Sequence, residues 1–99
     1  MTPEEKITEL GLTLPQVVTP LAALKAEIGD LSKVVRIVKV VAFVASDPAF
    51  TQHPQVANGA SELLAEVLGD AGKHARSAVG VAALPLDAPV EVELIAEVS

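Results

Sequence analysis

Residues 34–44, VVRIVKVVAFV, are apolar on both faces of a strand, apart from Arg36 and Lys39 near its beginning. Such a β-branched run reads as a strand covered on both sides or held at the centre of a sheet. The rest of the chain has to pack around it. With 99 residues there is room for a single core and no second domain. The composition is 51% apolar, but Phe43 and Phe50 are the sole aromatics, so Val, Leu, Ile and Ala must fill the interior. Helices layered closely on a sheet suit that material.

Around this strand the remaining elements follow from local signals. Thr2-Pro3-Glu4-Glu5 carries a cap, a first-turn proline and a capping-box acid, which predicts a short helix over 3–10 stopped by Gly11. Pro15 and Pro20 make 12–20 an extended leader, so 1–20 precedes a domain at 21–99. Residues 21–27 read as a helical tail ending at Gly29. Ser46-Asp47-Pro48 breaks the strand, and a second helix starts near Pro54, with Thr51 or His53 as its cap. Val56, Ala60, Leu63, Leu64, Val67 and Leu68 form the stripe expected to face the sheet. Gly69 and Gly72 end that helix, and a second strand over 75–83 completes a strand-helix-strand unit with parallel strands. After a turn at 84–89, residues 90–98 alternate strictly, placing Glu91, Glu93, Ile95 and Glu97 on one wet face.

Arg76 is the residue that points to chemistry. It stands on a strand of Ala, Gly, Ser and Val, and Ala78, Gly80 and Ala82 share its face at period two. Those small residues predict an unfilled hollow over the sheet. An arginine facing such a hollow is suited to receive a small carboxylate. The competing reading is an arginine paired with a neighbouring acid at a subunit contact.

Composition narrows the function classes. Thirteen acids against seven bases give a net charge of −6, without a long basic run, and neither Tyr nor Trp is present. Nucleic acid is therefore not expected as the main partner. Without cysteine there can be no disulfide or thiolate nucleophile. His53 and His74 lack a third ligand at metal spacing, no Ser-His-Asp set can be assembled, and no glycine pattern opens a helix as a phosphate cradle requires. No signal peptide or membrane span is expected, since the chain starts with acids and its longest apolar run is 40–45. A cytoplasmic protein without cofactor or metal is the expectation.

The segments VVRIVKVVAFVAS, Val56-Ala57-Asn58 and ARSAVGVAALPLDAPVEVELIAEV resemble the Rid family, the YjgF-type imine deaminases also labelled endoribonuclease L-PSP. The resemblance covers 21–98 and rests on the spacing from Ala-Arg-Ser through Leu-Pro to Val-Glu. It implies an α+β, chorismate-mutase-like mixed sheet with helices packed on one face. Relative to that pattern the chain is truncated: the opening strand pair, its Ser-Gly-Gln motif and most of the first helix have no counterpart. The strand at 90–98 is then left as a sheet edge. The family's N-terminal tyrosine is missing as well, and the cysteine often found two residues after the arginine is Ala78.

For function, the resemblance implies hydrolytic deamination of reactive 2-enamine or 2-imino acids to 2-oxo acids and ammonia. Arg76 would bind the substrate carboxylate, Glu91 would be the catalytic acid that assists water, and Asn58 would be a weaker substrate-binding candidate. Each has a structural alternative: Glu91 as one carboxylate on a solvated face, Asn58 as a local backbone partner in a first helical turn. With the last strand antiparallel to 75–83, Glu91 should lie beside Ala82, roughly 20 Å from Arg76 at the rise of a strand. A shared site would have to form between subunits, as in the homotrimer typical of the family. Ribonuclease action and a non-catalytic remnant that binds small carboxylates are the rival readings.

Overall fold

The computed structural model describes residues 19–99. Helix α1, Thr19–Ile28, leads through a short 3-10 turn at Leu31–Lys33 into strand β1, Val34–Ala45. Helix α2, His53–Leu68, a 3-10 turn at Gly69–Gly72 and strand β2, Ala75–Val81, follow. A turn around Pro85–Asp87 then delivers the chain to strand β3, Val90–Val98. The helix expected at 3–10 and most of the leader lie outside the described residues.

The three strands are ordered β2-β1-β3, with β1 parallel to β2 and antiparallel to β3. The apolar run is thus the sheet's centre, and α2 is the crossover that parallel pairing demands. Beyond β3 no strand pairs among the described residues. The second strand ends at Val81, two residues earlier than its sequence pattern implies.

Coverage of β1 differs from expectation. The helices pack on one face alone, where Val34, Ile37, Val40, Ala42 and Val44 are buried. Val35 is 49% exposed, and Arg36 and Lys39 are also open. Register shifts at Val34/Arg36 and Ile37/Lys39 widen the buried spacing from two residues to three. Such bulges reset which residue faces inward. Arg36 and Lys39, both open although they stand at opposite parity along the strand, are the trace of this shift in the sequence, while the valines around them suit either face.

Leu21 of α1, Leu31, Ile37 and Val40 of the sheet side, and Leu64 of α2 form the fully buried centre. Leu24 and Ile28 join from α1, and Val92, Leu94 and Ala96 join from β3. At its N-terminal end α2 is rotated from the predicted stripe: Ala57 is buried while Val56 is 39% exposed. Its N-cap is Gln52, without a side-chain hydrogen bond, rather than Thr51 or His53. His53 is instead the first helical residue, and its ring is used elsewhere.

Candidate functional site

Parallel pairing sets Arg76 beside Val40, Ala78 beside Ala42 and Gly80 beside Val44, so this trio occupies the helix-covered face of β2. The hollow predicted above Arg76 is occupied by α2. Small residues on β2 admit the helix, and its polar side chains reach the arginine. Arg76 Nη1 donates to Asn58 Oδ1 at 2.9 Å and to Ser61 Oγ at 3.1 Å. Among the described residues no acid pairs with this guanidinium.

Asn58 and Ser61 lie one turn apart on α2, which brings both side chains to the same face. His74 completes the cluster: its Nδ1 lies 2.6 Å from the Gly72 carbonyl and its Nε2 2.9 Å from Ser61 Oγ. A carbonyl can only accept, so Nδ1 carries a proton; in the Nδ1–H tautomer Nε2 then accepts from the Ser61 hydroxyl. The Ser61 oxygen in turn accepts from Arg76. The half-buried chain therefore runs from the Gly72 carbonyl through His74 and Ser61 to Arg76. Neither Ser61 nor His74 stands out in the sequence as a partner of Arg76. The signal was there: Asn58 and Ser61 at helical spacing, His74 and Arg76 at strand spacing.

A separate crevice of about 450 Å³ opens where the parallel strands end, lined by Ser46, Phe50, His53, Gly80 and Ala82 among others. Beyond the small residues of β2, this open space lies at Gly80 and Ala82. The His53 ring stands edge-on to Phe50, and its Nε2 is 3.1 Å from Ser46 Oγ. A Cβ on Gly80 would press on both His53 Nε2 and Ser46 Oγ, so glycine is what admits the ring.

Glu91 is exposed on the opposite face of the sheet. It pairs with Phe43, which pairs with Val79, three residues along β2 from Arg76. Two strand spacings and three residues of rise give about 14 Å between their Cα atoms. The predicted 20 Å assumed direct pairing of the last strand with 75–83, whereas β1 lies between them. Within one chain Arg76 and Glu91 are kept apart by the sheet itself. Structure therefore joins Asn58 to Arg76 and leaves Glu91 behind.

Near Glu91 the open face carries Val41, Phe43, Val79 and Ile95, the last 61% exposed. An Arg36 to Glu97 ion pair of 2.9 Å borders it. Among the described residues, no group of three or more His, Asp or Glu side chains could hold a metal ion, and no helix is long and apolar enough to cross a membrane.

A three-stranded mixed sheet with two helices on one face is the architecture of the chorismate-mutase-like folds. The profile described as "YjgF/chorismate_mutase-like, putative endoribonuclease" matches residues 7–98. The chain belongs to that family. The match also reaches into the leader, beyond the 21–98 on which the resemblance was drawn. Protein TCP17 of Trypanosoma cruzi is 49% identical over 80 residues, which is 80% of this chain and 50% of that protein. Atu1372 of Agrobacterium tumefaciens, a solved structure of unknown function, is 49% identical with a TM-score of 0.82, covering 87% of this chain and 55% of that one. The chain thus spans about half the length of these two relatives. A Shewanella oneidensis structure described as a "putative endoribonuclease" superposes at TM-score 0.90 over 99% of this chain and 100% of its own. At 23% identity that likeness concerns the fold.

Proposed function

We propose that the chain is a Rid-type deaminase in which Arg76 anchors the carboxylate of a small 2-imino acid. The observation that carries this reading is the state of Arg76: fixed by neutral Asn58 and Ser61, with no carboxylate paired to it among the described residues. Neutral partners hold a guanidinium in place without cancelling its charge. An incoming carboxylate would do so.

In this reading water adds to the imine carbon to give a carbinolamine, whose C–N bond then breaks to release ammonia and leave a 2-oxo acid. An enamine substrate first takes a proton at C3 and gives one up from nitrogen to become the imine. Glu91 of a second copy takes the proton from the attacking water and returns it to the departing nitrogen. Association through the apolar open face, in a homotrimer, supplies that second copy, and Arg76 on an outer strand leaves a flank for it to approach. Positioning and proton transfer suffice for this chemistry, without covalent attachment or cofactor.

Freshly generated 2-aminoacrylate, with ammonia and pyruvate as readouts, tests the proposal. A rate above the buffer blank that disappears in Arg76→Ala is the expected result, and a rate equal to the blank defeats it. A second reading, a binding module for small carboxylates, draws on the separation of Glu91 from Arg76 within one chain. Pyruvate binding without turnover would establish it. Cleavage of a labelled RNA would instead favour the nuclease label of the family, which the net charge of −6 opposes.

A further inference from the structure

We infer that Ser61 and His74 are positioning residues that turn one chosen edge of Arg76 toward its ligand, so that the ligand is a carboxylate bound side-on. The inference rests on the reading of Arg76 as the anchor. A guanidinium offers five N–H donors: one on Nε and two on each Nη. Both hydrogens of Nη1 are committed, one to Asn58 Oδ1 and one to Ser61 Oγ. The end-on edge, which needs a free Nη1, is therefore closed. What remains is the edge made by Nε and Nη2, whose parallel N–H bonds match the two oxygens of a carboxylate.

Ser61 can play this part because its hydroxyl has a defined direction. Its proton goes to His74 Nε2, since the Gly72 carbonyl holds the imidazole proton on Nδ1, and its lone pair is then turned to Arg76. Without His74 the hydroxyl rotates freely and its lone pair is no longer aimed. Asn58 is oriented by the same logic, because an arginine can only donate. Its Oδ1 faces Nη1 and its Nδ2 hydrogens stay available for a second acceptor on the ligand. A carboxylate with an acceptor on the adjacent carbon, as in short 2-oxo and 2-imino acids, fits this donor set.

Pyruvate titration by calorimetry, with kcat and KM for freshly generated 2-aminoacrylate, reads the effect in S61A, S61T, H74A, H74Q and R76A. Loss of the aimed hydrogen bond to a charged group should weaken pyruvate about tenfold in S61A and H74A and raise KM equally, with kcat within about twofold of wild type. S61T keeps the hydroxyl, and H74Q offers an acceptor where Nε2 stood, so each should recover most of the affinity. These two variants also carry the test if an alanine variant fails to fold. Separate, slowly exchanging Nη signals for Arg76 in ¹⁵N spectra should coalesce in S61A. Wild-type affinity and unchanged Nη signals in S61A and H74A, with R76A inactive, would overturn the positioning role and leave the anchor intact. Wild-type binding by R76A would remove the anchor, and the Nη signals would then decide the positioning role alone.

Discussion

The two faces of the sheet are built from the same three strands and have opposite fates. On the covered face Ile37, Val40 and Ala42 are at most 1% exposed beneath the helices, and Arg76 is tied into α2. On the open face Ile95 and Val79 remain 61% and 43% exposed beside Glu91 and Glu93. Alternation along a strand assigns residues to faces but does not decide how much of each face is covered. One face settles the fold within the chain, whereas the other keeps apolar side chains open to water. The two halves of the proposed site fall on different sides of this division.

Core substitution should give the largest contrast. Leu64→Ala removes a fully buried side chain from the covered face and should cost about 2–5 kcal/mol, read from the urea midpoint. A loss under about 0.5 kcal/mol, the usual range for surface positions, would mean that α2 is not firmly seated. Gly80→Ala tests the end of the same face, where the added methyl must displace His53 and break its bond to Ser46. A cost of about 1–3 kcal/mol is expected, with a shift of the His53 ring resonances. Unmoved resonances would show that the crevice tolerates the methyl.

The open face should respond differently. Ile95→Ser should change stability by at most about 0.5 kcal/mol at low protein concentration, since the side chain is mostly in water. At high concentration the same change should lower the melting temperature and the mass seen by light scattering, because association stabilises by mass action. A concentration-independent effect would separate the open face from any assembly.

The smallest effect belongs to neither face. Asp30 caps the turn at Leu31–Lys33, and hydrogen bonds from the Ser32 hydroxyl, then the Ser32 N–H, hold its carboxyl below the usual carboxylate range. A folded pKa below the unfolded one contributes stability that is complete above the unfolded value and is lost as pH falls through the folded value. Asp30→Asn should therefore flatten the decline of stability below about pH 4 and leave neutral pH little changed. A decline identical to wild type would place the acid sensitivity elsewhere.

Much of this was legible beforehand. The central strand, the parallel crossover and the wet face of β3 follow from pattern, because Glu91, Glu93 and Glu97 mark a polar face unmistakably. The bulges in β1 left their trace in the odd spacing of Arg36 and Lys39, and the surrounding valines, at home on either face, did not mark them. The turn of α2 that buries Ala57 and exposes Val56 was hidden because both residues are apolar. For the candidate site, Arg76 and Asn58 were visible as residue types. Ser61 and His74 were not, since their roles arise from hydrogen bonds between an element and one 13 to 15 residues away.

By itself the sequence determined which residues could be strand or helix, the family to which they belong, and the presence of an arginine among small neighbours. Periodicity and composition are local properties, and the chain carries them wherever it goes. Tertiary structure decided what those small neighbours were for. They let a helix close over the strand, bring Asn58 and Ser61 to Arg76, and shift the open space to Gly80. It also set Glu91 on the far face, because a sheet sends alternate side chains in opposite directions and no side chain reaches through it.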